Sequence, residues 1–251
     1  MQRLFGRSAK PAIQHAALTD VGKRREKNED SLLVLEGQPG WGFDLALVVC
    51  DGVGGQPRGE MASQLAVSAF REVLSREGEI AVGARLQLGA DAGAAAIIDF
   101  ADRETGGAPL ATTVAAIVLR NGHATVAHVG DSRVYRYRDR GLEPLTEDHS
   151  IVAAQVRAGL ILPTEARTHP MRSRLSQALG VGNPNKLDVR EIETRKGDTF
   201  LACSDGLHAF VEEADIVAAF SGDLERTARK LVDLANAAGG IDNVTVALAR
   251  V

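Results

Sequence analysis

The sequence has no excess of positive charge and no long apolar run, and each absence excludes a class of protein. Its 251 residues carry a formal net charge of -4, which gives no general attraction to nucleic acid or to an anionic membrane. An uninterrupted apolar run such as 114–119 is far shorter than the about 20 residues that cross a bilayer. Residues 1–11 are charged and lack the apolar segment of a secretory signal, so we expect a cytoplasmic protein without membrane insertion.

Cysteine is scarce as well, with only Cys50 and Cys203. Both lie in segments that we expect to form strands, which favours buried free thiols over a disulfide. A phosphatase with a cysteine nucleophile needs an arginine close behind its thiolate. Here Arg58 stands eight positions after Cys50, and the intervening Asp51 would raise the thiol pKa, so that mechanism is excluded.

The chain has no internal repeat and no low-complexity linker. We therefore expect a flexible tail over residues 1–11 and a single domain over residues 12–251. One domain of this length can bury a sizeable core.

Apolar periodicity and turn residues separate the expected helices from the expected strands. Helices are predicted over 58–75, 81–104, 212–220 and 223–238, the last with Asp223 as its N-cap and Gly239 as its stop. Strands are predicted over 31–35, 112–119, 124–129, 134–138 and 244–251. The Asn121–Gly122 pair is a strong hairpin signal between the second and third of these strands. Helices in two groups around clustered strands predict an α+β domain of antiparallel sheets sandwiched by helices.

Aspartates stand at the ends of several apolar runs. Three runs lead into Asp51, Asp131 and Asp205, and Asp242 precedes the last strand. An ionised carboxylate at the end of a buried strand is costly unless a cation neutralises it. Carboxylate oxygens favour Mg²⁺ or Mn²⁺ over Zn²⁺. The six histidines are scattered without metal-ligand spacing, and we treat them as structural.

Each polar segment has a simpler interpretation when it is taken alone. Asp–Ser and Asp–Gly pairs favour turns whatever the function. The mixed charges of residues 19–30 are typical of a solvated turn, in which Glu29 and Asp30 would be surface charges. The glycines of 51–55 let the backbone approach a ligand closely, so the Gly52 carbonyl could face the same cation as Asp51. No Gly-Lys-Ser/Thr follows them, which excludes a nucleotide P-loop.

In their order along the chain, these segments resemble a known family. The motifs T-D-x-G-x-x-R-x-x-N-E-D, D-G-x-G-G, G-D-S-R, S-D-G-L and D-N are similar to those of the metal-dependent protein phosphatases of the 2C type, in their short bacterial form. The resemblance runs over residues 13–251. It implies a central sandwich of two antiparallel sheets flanked by pairs of helices, in α-β-β-α layers. It also implies a protein serine/threonine phosphatase that uses a metal-bridging water to attack phosphoserine and phosphothreonine directly.

The resemblance also implies a set of metal ligands. Asp51 would bridge two Mn²⁺ or Mg²⁺ ions, and the Gly52 carbonyl would contact them. Asp205 and Asp242 would complete the ligands of the first ion, and Asp131 with Asp205 would hold a third, weaker ion.

The remaining implied residues lie on the substrate side. Arg25, which occupies the motif position rather than Arg24, would grip the substrate phosphate. Glu29 would act through metal-bound water, and Asp30 and Asn243 would support the ligands.

The sequence departs from the family pattern at two places. Ala111-Thr112-Thr113 stands where Gly-Thr-Thr is common, and Ser176-Gln177 replaces a usual Thr-Arg pair. These changes concern the packing beneath the site and contacts to substrate. By the resemblance, residues 150–177 correspond to a segment that forms a mobile flap in relatives. In this chain the segment contains Arg167, Arg172 and Arg174. These arginines either meet acidic partners or form a solvated helical face.

The resemblance implies phosphorylated protein substrates and an opposing serine/threonine kinase, and we expect a monomer that does not bind nucleic acid. The alternative is a non-catalytic member of the same fold that binds phosphoproteins or regulates them. The presence of every predicted metal ligand argues against that alternative. A structural Ca²⁺-binding protein is excluded because the sequence lacks an EF-hand-like loop.

Overall fold

Two antiparallel sheets pack face to face. The computed structural model describes residues 13–53, 58–181 and 186–251, so the tail predicted at 1–11 lies outside the described residues. In spatial order the first sheet consists of β1 (Gln14–Asp20), β11 (Val244–Arg250), β10 (Thr199–Cys203), β7 (Arg133–Arg138) and β8 (Gly141–Pro144). The second consists of β2 (Asp30–Glu36), β3 (Leu45–Val53), β5 (Val114–Arg120), β6 (His123–Val129) and β9 (Asp188–Glu193), with the short β4 (Ala111–Thr112) paired to β3.

Helices cover the outer face of each sheet. The second sheet packs against α1 (Gly59–Leu74) and α2 (Val82–Glu104). The first sheet packs against α5 (Asp205–His208), α6 (Glu213–Ala219) and α7 (Leu224–Ala237). Two further helices, α3 (Ile151–Arg157) and α4 (Pro163–Ala166), lie within residues 150–177. This arrangement confirms the predicted α+β sandwich.

The layers explain why β3 is apolar without interruption. Leu45, Leu47 and Val49 point into the core between the sheets. The alternate residues, Ala46 and Val48, point to the core beneath α1 and α2. A strand that is buried on both faces has no position for a polar side chain, so its sequence does not alternate.

The predicted helices over 58–75, 81–104, 212–220 and 223–238 are confirmed to within one residue at each end. The Asp223 side chain caps α7 by accepting hydrogen bonds from the amides of Glu225 and Arg226 over 2.9 and 3.1 Å. The hairpin at Asn121–Gly122 is also confirmed, with φ angles of +48° and +81°. Every helix in the described ranges is either too short or too polar to span a lipid bilayer.

Two strand boundaries differ from the prediction. The strand expected over 112–119 is broken at Thr113, which turns its amide to the Asp51 carbonyl over 2.8 Å. Strand β3 does not end on Asp51 but continues to Val53, because Gly52 still pairs with Thr112 on β4. The buried thiols of Cys50 and Cys203 are free, as predicted.

Candidate active site

The sheet topology brings the predicted aspartates to one edge of the sandwich. Both β3 and β6 are antiparallel to β5, so their C-terminal ends, near Asp51 and Asp131, share an edge. In the other sheet, β10 ends just before Asp205, and its antiparallel neighbour β11 begins just after Asp242. The charges of Asp205 and Asp242 both act on the Asp51 carboxyl group, so the two sheets meet at this site.

Burial and mutual repulsion make these carboxylates costly to ionise. Burial raises the pKa of Asp51 well above its usual range, and the charges of neighbouring aspartates raise it further. Burial, followed by the charge of Asp205, raises the pKa of Asp131 to about 8. Burial, followed by the charge of Asp242, raises the pKa of Asp205 to about 6. The edge therefore concentrates negative charge that a bound cation would neutralise.

Two threonines hold the backbone of Asp51. The amide of Asp51 donates to Oγ1 of Thr113 over 3.0 Å, and Thr112 Oγ1 donates to the Asp51 carbonyl over 2.9 Å. Thr113 Oγ1 also shares a 2.6 Å hydrogen bond with Ser132 Oγ, beside Asp131. Thr112 and Thr113 thus fix the position of Asp51, although the preceding residue of this motif is alanine instead of the common glycine.

Asp30 lies opposite Asp51 in the register of β2 and β3. Its Oδ2 atom accepts hydrogen bonds from Ser204 Oγ and Thr245 Oγ1, each over 2.7 Å. Its buried Oδ1 atom has no hydrogen-bond partner among the residues that the structure describes. Burial raises the pKa of Asp30 to about 7, although both hydroxyl donors lower it.

Arg25 is the cation at the mouth of the site. Its Nη2 atom donates to Asp242 Oδ2 over 2.8 Å, and its Nη1 atom lies 3.9 Å from Glu29 Oε2. The hydrogen bond to Asp242 is the main cause that raises the pKa of Arg25. The side chain is 47% exposed, so its guanidinium group is accessible to a ligand.

Asn243 positions the segment that carries Glu29. Its Oδ1 atom accepts from the Glu29 amide over 2.8 Å, and its Nδ2 group donates to the carbonyls of Val21 and Lys27 over 3.0 and 2.9 Å. Burial raises the pKa of Glu29, while the charge of Arg25 opposes that shift. Through these three hydrogen bonds, the Asn243 side chain holds the backbone of residues 21–29 beside the site.

Glycines allow the backbones to come close beside the site. A Cβ atom on Gly52 would lie 2.1 Å from the Gly59 carbonyl oxygen, and one on Gly59 would lie 2.8 Å from Glu29 Oε1. The structure thus packs the Gly52 backbone against the start of α1. The remaining glycines of the D-G-x-G-G motif, Gly54 and Gly55, lie outside the described residues.

Sequence reasoning missed several hydroxyl groups that support the aspartates. Ser204 and Thr245 bind Asp30, and Thr113 binds Ser132. A local signal exists only for Ser204, which directly precedes Asp205 in the S-D-G-L motif. The others come from distant strands and can be recognised only after the sheets are aligned.

The segment 150–177 meets the helical layer through one of its predicted arginines. Arg167 Nη1 lies 2.8 Å from Glu212 Oε2, and both side chains are at least half exposed. An exposed pair of this kind contributes little to stability. Arg172 and Arg174 form no ion pair with the residues that the structure describes.

Comparisons with known proteins agree with this geometry. The family described as "Protein phosphatase 2C" matches residues 23–237. The serine/threonine protein phosphatase PstP of Mycobacterium tuberculosis is 36% identical over 240 residues, which are 95% of this chain and 45% of PstP. The chain therefore spans about half the length of that relative. The serine/threonine phosphatase stp of Listeria innocua is 33% identical, and the match covers 92% of each chain.

A solved structure links the fold to metal. The crystal structure of the PstP catalytic domain in complex with two manganese ions has a TM-score of 0.84 and 34% identity to this chain, covering 95% of this chain and 97% of that one. Phosphatases of the 2C type use manganese or magnesium. The family match, the relatives and the shared fold agree with the five sequence motifs. The chain belongs to the protein phosphatase 2C family.

Proposed function

We propose that this chain is a Mn²⁺- or Mg²⁺-dependent protein serine/threonine phosphatase that hydrolyses phosphoserine and phosphothreonine monoesters. The observation that carries the proposal is the convergence of Asp51, Asp131, Asp205 and Asp242 at one edge of the sandwich. Arg25, the one cation that contacts Asp242 in the described structure, stands at the same edge. This combination suits a dianionic phosphate ester, which needs positive charge on several sides.

The aspartate cluster fits divalent metal ions. The oxygen donors of these aspartates are carboxylates, the ligand type that hard cations prefer. The buried Oδ1 atom of Asp30 lacks a hydrogen bond from any residue that the structure describes, so it could accept one from a water ligand. The mutual repulsion that raises the carboxylate pKa values would be relieved by a bound cation.

The proposed ligands follow from this fit. Asp51 would bridge two ions, with the Gly52 carbonyl beside them, and Asp205 and Asp242 would complete the ligands of one ion. Asp131 and Asp205 would hold a third, weaker ion. When bound, the ions would supply charge compensation for the phosphoryl oxygens and activation of water. The ions are needed because hydrolysis of a phosphate monoester requires a rate acceleration of up to about 10²¹-fold. One general acid or base raises the rate by only about 10²–10⁴-fold.

Arg25 would bind and orient the substrate phosphate. Its planar guanidinium can donate to two phosphate oxygens at once, and it stays charged throughout the reaction. In the structure one nitrogen donates to Asp242 and another lies near Glu29, so these carboxylates hold the guanidinium towards the aspartate cluster.

Glu29 would act through metal-bound water, and Asp30 would support the ligands. Burial raises the pKa values of both carboxyl groups, that of Asp30 to about 7. The hydroxyl groups of Ser204 and Thr245 orient Asp30, while Asn243 fixes the backbone at Glu29.

The wider setting belongs to the same proposal. We expect the chain to act as a cytoplasmic monomer on phosphorylated proteins and to oppose a serine/threonine kinase. Residues 12–251 would form one domain, in which 150–177 act as a mobile flap beside the site.

The test is release of phosphate from a phosphothreonine peptide in the presence of Mn²⁺. Chelation should silence release reversibly, and Asp51→Asn should lower it by at least about 100-fold, since even outer partners of metal ligands are worth about 10–100-fold. Asp139→Asn is the matched control, because Asp139 lies in an exposed turn whose φ of +51° suits asparagine. Full activity in Asp51→Asn would contradict the bridging role. A wild-type chain that binds the peptide without turnover under any divalent ion would support the non-catalytic alternative.

A further inference from the structure

Two buried histidines and an aspartate come together at the edge of the second sheet. His128 lies near the end of β6, His149 precedes α3, and Asp188 begins β9. Ring nitrogens of both histidines and a carboxylate oxygen of Asp188 all lie within 4.8 Å of one another. None of the three belongs to the aspartate cluster described above.

The cluster combines a buried side with an open side. The two imidazole rings are stacked, with centroids 4.6 Å apart and an interplanar angle of 29°. Both histidines are buried, whereas the Asp188 side chain is 65% exposed. A surface cleft of about 420 Å³, lined by His128, Asp188, Glu147 and Arg190 among others, reaches the cluster from solvent. An ion and a water molecule therefore have a path to it.

Hydrogen bonds define the proton positions on the rings. The Gly130 amide donates to Nδ1 of His149 over 3.3 Å, so the His149 proton is on Nε2, which lies 3.2 Å from Asp188 Oδ2. Nε2 of His128 donates to the Glu147 carbonyl over 2.7 Å, which leaves the Nδ1 lone pair without a partner among the described residues. Burial lowers the pKa of His128 and keeps its ring neutral, as a metal ligand must be.

We propose that His128, His149 and Asp188 form a second metal site, which binds a divalent transition-metal ion of the Zn²⁺ class. Two imidazoles and one carboxylate are a ligand set typical of zinc with an open fourth position. Imidazole also favours such ions over Mg²⁺, so the site would differ in selectivity from the all-oxygen cluster. The fourth position would face the cleft and hold water.

Binding at this site would change the contact between His149 and Gly130. Ligation through Nε2 displaces its proton, and the neutral ring then carries its proton on Nδ1. A protonated Nδ1 can no longer accept from the Gly130 amide. Gly130 directly precedes Asp131, and its carbonyl accepts from the His149 amide over 2.8 Å. The ion would thus loosen one of the two hydrogen bonds that hold the backbone beside Asp131.

Calorimetric titration of the full chain with Zn²⁺ tests the site without any measurement of turnover. Asp188→Asn should remove one zinc equivalent or weaken its binding by at least about 10-fold. Asp188 is mostly exposed, so this variant should fold, and thermal unfolding checks that. Glu191→Gln is the matched control, because it removes the same charge from the opposite face of β9. Equal zinc stoichiometry and affinity in all three proteins would overturn the proposal.

Nuclear magnetic resonance locates the ion and tests the coupling. Zn²⁺ should shift the ring nitrogen signals of His128 and His149 and the amide signal of Gly130 in wild type and in Glu191→Gln. These shifts should be lost in Asp188→Asn at the same zinc concentration. Zinc that leaves both rings unchanged would refute the site, and an unchanged Gly130 amide would refute the coupling.

Discussion

Arg25 and Asp242 form an ion pair over 2.8 Å although 217 positions separate them in the chain. The pair joins the segment before β2 to the segment before β11, and both segments lead into the candidate site. The guanidinium is therefore held at the site before any substrate arrives.

Replacement of Arg25 by alanine should lower kcat/KM for a phosphothreonine peptide and leave Mn²⁺ affinity nearly unchanged. Hydrogen bonds to charged groups contribute about 1.5–3 kcal/mol, which corresponds to roughly 10- to 150-fold. Arg25→Lys should recover only part of the loss, because an ammonium group cannot donate in a fork. Steady-state kinetics and calorimetry measure the two effects. Arg24→Ala is the control, and equal losses in both variants would remove Arg25 from phosphate binding.

The sequence predicted those parts of the fold whose signals are local. Asp223 and Gly239 bound α7, and the glycine of Asn121–Gly122 permits the hairpin turn. The aspartate positions were also predictable, because buried strands are recognisable as short apolar runs. The strand-end aspartates suggest one shared site, but no local pattern states which strands are neighbours, so the order of the strands at that edge could not be predicted.

The missed features depend on partners that are distant in the chain. Strand β9 has the sequence D-V-R-E-I-E, whose charges argue against a buried strand. It forms because its backbone pairs with β6 at the sheet edge, where side chains remain in solvent. That pairing sets Asp188 opposite His128, and His149 arrives from a third segment, so scattered histidines become a cluster.

Mn²⁺ binding should strengthen as pH rises from about 6 to about 8. The pKa values of the proposed ligands Asp205 and Asp131 are raised to about 6 and about 8, so each carboxyl holds its proton below that pH and must release it as the metal binds. Each obligatory proton weakens binding about 10-fold per pH unit below its pKa. Calorimetry in buffers with different ionisation enthalpies counts the protons released. Constant affinity across this range would show that the metal-free carboxylates are already ionised.

Thr113→Val should destabilise the fold and weaken Mn²⁺ binding. The variant keeps the shape of the side chain but removes the acceptor for the buried Asp51 amide and the partner of Ser132. An unsatisfied buried donor costs about 1–3 kcal/mol of unfolding free energy. Urea unfolding measures that loss. Thr125→Val is the control, because Thr125 is a buried residue whose hydroxyl makes no hydrogen bond with the part of the chain that the structure describes. Equal effects of the two substitutions would contradict the role of Thr113.

Gly52→Ala should disrupt the site even though the added group is a single methyl. The new Cβ atom would lie 2.1 Å from the Gly59 carbonyl oxygen and 2.8 Å from that of Glu29. Both obstacles are backbone atoms, so no side-chain rotation relieves the contact. Either α1 or the segment at Glu29 must move away from Asp51.

Overpacking of a buried site costs about 1–3 kcal/mol, and we expect Gly52→Ala to reach the upper end of that range. Mn²⁺ binding should be lost with it, because the displaced segments carry the groups around Asp51. Gly222→Ala is the matched control, since a Cβ atom there meets no atom within 4 Å, and its unfolding free energy should change by less than about 0.5 kcal/mol. A Gly52→Ala protein with wild-type stability and Mn²⁺ affinity would show that the two backbones separate without cost, and close packing at Gly52 would then have no part in forming the site.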